Sequence, residues 1–389
     1  MTRVLQICNY YYPHIGGIEQ VARDISGALG DLANVEQKIL CFNEDAQDGG
    51  LRCERKVTTS EIIDSTEVIR CSCVTKQASQ SISFSFPGKL KEVMEGFKPE
   101  IVIFHYPNPY QAFFLSRYLK KGSFRFVLYW HLDITKQKTL RKLFHGQTLS
   151  LLKRADVIVA TSPVYIDGSP YLSRFSDKCV SIPNCISMDR LQVTEEIEDR
   201  VREIKAENEG RIVCFGVGRH IPYKGFKYLV EASKLLDDRF RIFIGGKGPL
   251  TDELQDAARG DGKVTFLGRV TDEELIAYYL AMDVFCFPSI TKNEAFGIAL
   301  AEGMYFGKPA VTFTIPGSGV NYVNLGDVTG LEVPNRDVRA YAEALVRLAE
   351  NPELRIKLGE AAKDRVQKLF MPQQFDANIK TLVSELETW

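Results

Sequence analysis

The chain has 389 residues, which is enough for two domains of ordinary size. With 45% hydrophobic and 25% charged residues it has the composition of a soluble globular protein, and its net charge of −1 gives no electrostatic basis for binding nucleic acid. Residues 1–190 hold 24 Lys and Arg against 19 Asp and Glu, and the remainder holds 25 against 31, so we expect the first half to face an anionic partner.

The first half alternates short apolar runs with longer segments of helical periodicity. A strand at Arg3–Cys8 is followed by a glycine-containing loop, Pro13–Gly17, and by a helix at Ile18–Leu29. Further strands are predicted at Gln37–Cys41, Ile101–Phe104, Phe126–Tyr129 and Asp156–Ala160. Strands that alternate with helices indicate a parallel sheet covered on both faces.

The same pattern restarts in the second half. The charged segment Glu195–Asn208 has few large apolar residues, so we expect it to lie outside a core. A helix is predicted at Phe226–Leu236 and a terminal helix at Pro372–Trp389. Strands are predicted at Arg211–Phe215, Phe240–Ile244, Val264–Leu267, Val284–Phe287 and Ala310–Phe313.

These elements predict an α/β protein with two Rossmann-like doubly wound domains facing across a cleft. The expected boundaries are 1–185 for the first domain and 186–370 for the second, with a C-terminal helix, 371–389, returning to the first domain. Ligands of such open sheets bind at the carboxyl ends of the strands.

Cysteine usage and the absence of long apolar runs predict a cytoplasmic location. The nine cysteines are scattered singly except at Cys71-Ser-Cys73, and none has the spacing of a zinc site, so we expect reduced thiols and no metal. The first eight residues lack the apolar stretch of a signal peptide, and no run of eighteen apolar residues occurs.

Glycine-containing turns follow three strands of the second half. The first, Gly216–Gly225, places Arg219 and Lys224 on one loop at a strand's carboxyl end. A planar guanidinium and a mobile ammonium suit a diphosphate, although two ordinary surface charges are the alternative. In the other two turns, 243–250 and 264–270, the backbone can approach a neighbouring segment or pair with a nucleobase edge; a plain strand exit is the alternative.

Two carboxylates, Glu294 and Glu302, are separated by seven residues after the strand Asp283–Pro288. We expect both on one helix, with Gly297 near its first turn. They would then lie about 12 Å apart along the axis, one at each end of a ligand whose diphosphate meets the helix N-terminus. The alternative is an amphipathic helix with one Glu favouring the dipole and one solvated Glu.

Taken in chain order, these motifs resemble those of family 4 retaining glycosyltransferases of the GT-B fold. The resemblance covers almost the whole second half. In the first half, Tyr12–Glu19 resembles the family's first glycine loop and Pro183-Asn184 the stretch before its linker. The run Trp130–Gln137 is similar to bacterial mannosyl- and rhamnosyltransferases of surface polysaccharide assembly.

The resemblance implies a donor-binding set and a catalytic set. The donor-binding set comprises Gly16, Gly17, Arg219 and Lys224 at the diphosphate, Arg269 and Val270 at the base, Glu294 at the sugar hydroxyls, Phe296, Gly297 and Ile298 with backbone N–H groups towards the sugar and β-phosphate, and Glu302 at the ribose. The catalytic set comprises Glu294, His131, Arg219 and Lys224. His131 either donates to the sugar's 6-position, orients the acceptor or is a satisfied core histidine; His105, after another strand, could also face the cleft.

The family's chemistry implies a metal-independent transfer that retains anomeric configuration. We expect departure and attack on one face, with Glu294 positioning the sugar rather than acting as nucleophile. No Asp-x-Asp triplet occurs. No cofactor is expected beyond a GDP- or UDP-linked sugar as co-substrate, with a GDP-linked mannose-type donor preferred and a glycan or lipid-linked acceptor. The alternatives are a UDP-sugar with a small soluble acceptor and a non-catalytic nucleotide-sugar-binding subunit.

The segment from Ile134 to Ala155 carries six cations and no carboxylate. Its basic patch comprises Lys136, Lys138, Arg141 and Lys142. Because each cation near an anionic bilayer contributes about 1 kcal/mol, the patch predicts peripheral contact with the inner face of the membrane. A lipid diphosphate acceptor or a solvated helix face would account for it equally.

Overall fold

The structure, a computed structural model, comprises two compact units. It describes residues 1–14, 16–48, 51–77, 80–120, 122–134 and 138–388, without the side chains of Asp48, Gln77 and residues 138–143. The first unit is Met1–Asn184 together with Gln373–Trp389, and the second is Cys185–Pro372.

The first unit is built on an eight-stranded sheet in the order β12-β11-β10-β9-β1-β2-β6-β5. The strands of this unit are β1 (Thr2–Ile7), β2 (Val35–Asn43), β3 (Ala46–Asp48), β4 (Leu51–Cys53), β5 (Thr59–Ile63), β6 (Thr66–Ser72), β7 (Thr75–Gln77), β8 (Gln80–Ile82), β9 (Ile101–Tyr106), β10 (Arg125–Trp130), β11 (Val157–Ala160) and β12 (Cys179–Ser181). Neighbouring strands are parallel except β5 and β6, and the pairs β3–β4 and β7–β8 are separate antiparallel ribbons.

Helices cover this sheet because their apolar residues recur at helical spacing. In α1 the buried apolar positions include Val21, Ile25 and Leu29, and the buried Ser26 is hydrogen-bonded to Gln37 on β2. The helices of the unit's first segment are α1 (Gly17–Gly30), α2 (Phe86–Glu92), α3 (Pro109–Leu119), α4 (Lys138–Arg154) and α5 (Pro163–Gly168). The central strand β9 is buried along its whole length, as expected of a parallel strand covered on both faces.

The second unit has a wholly parallel six-stranded sheet in the order β15-β14-β13-β16-β17-β18. Its strands are β13 (Ile212–Val217), β14 (Phe240–Gly245), β15 (Val264–Gly268), β16 (Val284–Phe287), β17 (Ala310–Phe313) and β18 (Gly330–Val333). The remaining helices are α6 (Glu195–Glu207), α7 (Phe226–Ser233), α8 (Thr251–Ala257), α9 (Asp272–Ala281), α10 (Ile298–Tyr305), α11 (Val320–Val323), α12 (Val338–Glu350), α13 (Pro352–Leu369) and α14 (Pro372–Thr388). From Gln373 onwards α14 belongs to the first unit.

The expectation that Glu195–Asn208 lies outside a core is wrong. Helix α6 buries Ile197 and Ile204 and packs against α9. Two apolar side chains seven residues apart lie on one face of a helix, so a segment with a high charge content still has a buried stripe. The Thr194 hydroxyl caps the helix by accepting from the backbone N–H of Ile197.

Each sheet has one position where the strand order reverses. In the second unit the chain runs from β13 to β14 and β15 on one side, and β16 to β18 lie on the other. In the first unit the reversal lies between β1 and β9. Loops leave the carboxyl edge of a sheet in opposite directions at such a point, which opens a crevice for a ligand.

Candidate functional site

The carboxyl edge of the second unit holds a close pair of opposite charges at the reversal of its strand order. Lys224 ends a short 3₁₀ turn after β13, and Glu294 lies in the loop after β16. The Lys224 Nζ atom is 2.5 Å from Glu294 Oε2, with side chains 15% and 12% exposed. Because β13 and β16 are adjacent strands, residues seventy positions apart in the chain meet there.

Hydroxyl groups fix the Glu294 loop. Ser289 Oγ donates to Glu294 Oε2 at 3.1 Å, and Ser318 Oγ donates to the backbone carbonyl of Glu294 at 2.5 Å. A Cβ atom on Gly319 would lie 2.0 Å from the carbonyl oxygen of Ala295, so only glycine permits this close approach. The carboxylate is therefore held in place by the protein itself.

The loop that carries Lys224 abuts the end of β16. Gly225 has φ +68°, and a Cβ atom there would lie 2.0 Å from the carbonyl oxygen of Pro288. The Lys224 ammonium lies 5.2 Å from the centroid of the Phe287 ring, within the range of a cation–π interaction. It also lies 5.7 Å from the centroid of the Tyr223 ring, so Lys224 has one ionic and two aromatic partners.

The prediction that Glu294 and Glu302 share one helix is wrong. Helix α10 begins at Ile298, and Gly297 precedes it with φ +96° and ψ +66°. Because Gly297 has a left-handed backbone conformation, the right-handed helix cannot extend through it towards the N-terminus, and Glu294 remains in the loop before the helix. Leu300 N and Ala301 N both donate to the Gly297 carbonyl. The two amides that precede them, those of Ile298 and Ala299, have no intrahelical acceptor by the geometry of a helix start and attract an anion.

Glu302 is buried on α10 among partners that the sequence did not indicate. Tyr279 Oη donates to Glu302 Oε2 at 3.1 Å, and Arg190 Nη1 lies 4.0 Å from Glu302 Oε1. Arg190 is also paired with Asp272 at 2.6 Å. Burial raises the pKa of Glu302 above its usual value, against the opposing effects of Arg190 and Tyr279. In this structure the Glu302 carboxylate contacts protein groups.

The glycines after β13, β14 and β15 allow these three loops to approach one another. Gly218 N donates to the Gly245 carbonyl at 3.1 Å, and Gly246 N donates to the Gly268 carbonyl at 2.5 Å. A Cβ atom on Gly246 would lie 2.0 Å from the carbonyl oxygen of Gly218. In this structure the backbone at Gly246, after β14, therefore packs against the loop that follows β13.

The remaining predicted residues of the second unit lie along the same edge. Arg219, after β13, and Arg269, after β15, have exposed side chains. Val270 is half-buried, and a Cβ atom added to Gly245 would lie 3.5 Å from it. Phe296 is buried and its ring packs edge-on against Phe370 at 5.2 Å. Arg219 therefore lies on the same loop as the paired Lys224 but projects into solvent.

The first unit places its predicted residues at its own carboxyl edge. Gly16 and Gly17 follow β1, where Gln20 N donates to the Gly16 carbonyl at the start of α1. His131 follows β10 and its ring nitrogen Nε2 lies 2.8 Å from Nδ1 of the buried His105. The position of His105 at the end of a strand was visible in the sequence, but its contact with His131 was not.

The predicted basic patch falls outside what the structure describes, because Lys136 and the side chains of Lys138, Arg141 and Lys142 are not described. Within the described part of the chain, no three His, Cys, Asp or Glu side chains are grouped as they would be around a metal ion. Among the described helices, none combines the length and apolar character required to traverse a bilayer.

Comparison with known proteins gives matches over both units. Residues 15–190 match the family model described as Glycosyltransferase Family 4, and residues 197–365 match that of Glycosyl transferases group 1. O-antigen chain mannosyltransferase C of Escherichia coli is 29% identical over 99% of both chains. D-rhamnosyltransferase WbpZ of Pseudomonas aeruginosa is 30% identical over 95% of this chain and 92% of its own.

Solved structures share the same fold at low sequence identity. Sucrose-phosphate synthase from Thermosynechococcus elongatus superposes with a TM-score of 0.80 at 20% identity, covering both chains completely. HepE of Anabaena, in complex with UDP and glucose, gives a TM-score of 0.76 at 14% identity over 99% of this chain and 100% of its own. These likenesses confirm the predicted α/β fold class with parallel sheets in two domains.

Proposed function

Since the chain belongs to the family 4 glycosyltransferases and has the GT-B fold, we propose that it moves a hexose from a nucleoside-diphosphate sugar to a lipid-linked oligosaccharide or polysaccharide. The observation that carries this proposal is the Lys224–Glu294 pair beside the start of α10. It combines a cation, a carboxylate and free backbone amides at the one position of the sheet where a ligand crevice is expected.

Lys224 and the first turn of α10 stabilise the diphosphate as it leaves. Negative charge grows on the leaving oxygen when the bond to the sugar breaks, and preorganised donors lower the energy of that state. Each charge-assisted hydrogen bond contributes about 1.5–3 kcal/mol. Arg219, exposed on the same loop, supplies the second cation.

Glu294 positions the sugar in this proposal. Its carboxylate is held by Ser289 and paired with Lys224, so binding of the diphosphate draws the ammonium towards phosphate and leaves carboxylate oxygens for sugar hydroxyls. The remaining donor contacts follow the family's pattern, with Arg269 and Val270 at the base and Glu302 at the ribose.

We propose that the transfer retains the anomeric configuration and needs no metal ion, because Lys224, Arg219 and the start of α10 act on the diphosphate. Departure and attack on one face of the sugar let an oxygen of the leaving phosphate accept the acceptor's proton. The held Lys224, the exposed Arg219 and a helix N-terminus provide the charge stabilisation that this step requires.

The names of two relatives support a mannose-type sugar and a polysaccharide acceptor, and they leave the nucleotide of the donor open. One is an O-antigen chain mannosyltransferase and the other a D-rhamnosyltransferase, so we propose a mannose-type sugar and a polysaccharide chain as acceptor, and we retain GDP as the preferred nucleotide of the donor. Contact of the basic patch, Lys136 to Lys142, with the inner face of a membrane would bring a lipid-linked acceptor to the enzyme.

A nucleotide-release assay coupled to product detection tests the proposal. GDP-mannose, GDP-rhamnose, UDP-glucose and UDP-galactose are each incubated with and without a lipid-linked oligosaccharide. We expect acceptor-dependent release of GDP that is lost in Glu294→Ala and kept in Glu273→Ala, which removes an exposed carboxylate of α9. Nucleotide binding without transfer to any acceptor would instead support a non-catalytic subunit.

A further inference from the structure

Three buried polar side chains form a continuous hydrogen-bonded chain in the first unit. His131 Nε2 lies 2.8 Å from His105 Nδ1, and His105 Nε2 lies 3.0 Å from Gln6 Oε1. Gln6 and His105 are fully enclosed, whereas His131 retains 5% of its surface. The planes of the two imidazole rings differ by 12°, so each nitrogen points at its partner along the ring plane.

Strand register explains why these residues meet. Gln6 on β1 pairs with Ile103 on β9, and His105 lies two positions further along β9. Tyr129 on β10 pairs with His105, and His131 lies two positions beyond it. Side chains two positions apart in a strand share a face, so the chain crosses three neighbouring strands at their carboxyl ends.

Both imidazoles are neutral in this setting. Within the described residues, neither His105 nor His131 is hydrogen-bonded to a carboxylate. Burial lowers the pKa of His105 to about 3 and lowers that of His131 well below its usual value. Each ring therefore carries a single N–H, and one nitrogen of each is an acceptor.

The acceptor at one end sets the direction of the protons. The Gln6 amide turns Oε1 towards His105, and its Nε2 is enclosed without a partner among the described residues. Since Oε1 can only accept, His105 in this arrangement carries its proton on Nε2 and leaves Nδ1 bare. The bare Nδ1 of His105 accepts from Nε2–H of His131, so Nδ1 of His131 is also bare. This last nitrogen has no hydrogen bond within the described residues and is not among the enclosed unpaired polar atoms, so it faces the remaining open surface.

We propose that Gln6 and His105 are positioning residues that hold His131 in its Nδ1-bare tautomer, as a neutral acceptor for a substrate hydroxyl. A neutral acceptor discriminates against phosphate and carboxylate oxygens and selects an O–H group. This assignment replaces the expected donation by His131 with acceptance. That the hydroxyl belongs to a sugar rests on the proposed function; the tautomer does not.

The tautomer is measured on the full-length protein without any ligand. The chain has five histidines, so labelling with ¹⁵N-histidine gives ten ring nitrogens that single substitutions assign. We expect two-bond ¹H–¹⁵N spectra to show both His105 and His131 protonated on Nε2 between about pH 6 and 8. A proton on Nδ1 of His131, or a doubly protonated ring, would overturn the proposal.

Two substitutions of Gln6 test whether its amide controls the protonation of His105 and His131. Gln6→Glu keeps an acceptor for the Nε2 proton of His105 but adds a carboxylate that raises the pKa of this ring, so the wild-type tautomer should persist only at the alkaline end of the pH range. Gln6→Leu removes the acceptor and should give His105 and His131 mixed tautomers. An unchanged spectrum for a folded Gln6→Leu protein would refute the positioning role of Gln6. If Gln6→Leu fails to fold, the wild-type spectrum still decides the tautomer of His131. The Gln6→Glu spectrum then shows whether the side chain at position 6 controls the protonation of His105.

Deoxy and deoxyfluoro analogues of GDP-mannose locate the hydroxyl, because fluorine cannot donate a hydrogen bond. At one sugar position both replacements should lower kcat/KM by about 3–10-fold equally, and this penalty should disappear in His131→Phe. If no donor position depends on His131 but the acceptor's KM rises in His131→Phe, the hydroxyl is the acceptor's. A fluoro analogue that retains full rate where the deoxy analogue loses it would show that His131 donates. Absence of turnover with every nucleotide sugar would sink the proposed function and leave the spectroscopic result intact.

Discussion

Replacing Lys224 by methionine separates the phosphate role of this residue from its structural role. The substitution keeps most of the side-chain volume and removes the charge that lies 2.5 Å from Glu294. A lost charge-assisted contact of about 1.5–3 kcal/mol corresponds to a 10- to 150-fold rise in the Kd for a nucleoside diphosphate. Because charge grows on the leaving group, kcat should fall by a further 10²–10³-fold.

The same substitution leaves the Glu294 carboxylate with one hydroxyl donor. Breaking a fully buried ion pair costs about 3–5 kcal/mol, and the 12–15% exposure of these side chains places the expected loss of unfolding free energy below that range. Adding Glu294→Gln removes the unpaired charge. The double variant should therefore recover stability without recovering affinity for the nucleotide.

Calorimetric titration with GDP and with UDP measures the affinities, and urea unfolding measures the stabilities. Lys227→Met is the matched control, since Lys227 is an exposed cation three residues further along the chain. We expect the control to bind and unfold as the parent does. A Lys224→Met protein that binds both nucleotides with the parent's affinity would refute the phosphate role.

Three further changes test other parts of the structure. Arg70→Met removes a buried guanidinium that pairs with Glu61 at 2.6 Å and, because Glu61 is 33% exposed, should lower the unfolding free energy in urea denaturation by less than the ~3–5 kcal/mol of a fully buried pair; a loss under ~1 kcal/mol would contradict the pairing. Gly246→Ala, whose Cβ would meet a carbonyl oxygen at 2.0 Å, should destabilise the protein by about 1–3 kcal/mol more than Gly260→Ala, where φ is also positive but the space is open; equal thermal shifts would disprove the clash. Because burial raises the pKa of Glu302, the native state binds the extra proton and the stability of the wild type should fall relative to Glu302→Gln as pH rises from about 4 to 8; a parallel pair of pH–stability curves would exclude this coupling.

Several buried strands were predictable because they are short apolar runs, whereas β6, which is largely buried but contains Glu67 and Arg70, and the strands β12 and β18 were not predicted. The predicted strands Val284–Phe287 and Ala310–Phe313 coincide with β16 and β17. The antiparallel edge strand β5 was not predicted, and neither were the two ribbons of three-residue strands. Such short or half-exposed strands lack the apolar density that distinguishes them from loops.

The error at Glu294 has a local physical cause. The segment from Glu294 to Glu302 is rich in good helix formers, so its composition favours a helix along its whole length. The left-handed conformation of Gly297 and the hydrogen bond from Ser318 to the Glu294 carbonyl stop the helix short of this residue. Since Ser318 is distant in the chain, no local pattern could reveal it.

The position of a candidate residue along a strand is local information, whereas its partner depends on strand order. The pattern of apolar runs was enough to place Lys224 and His131 at carboxyl ends of strands, and it placed Glu294 on a helix after another strand. It could not show that Lys224 would pair with Glu294, because that requires β16 to lie beside β13. The same holds for His131 and His105, which meet only because β10 lies beside β9. Motifs therefore identify the edge at which chemistry occurs, and the sheet's topology decides which of those side chains act together.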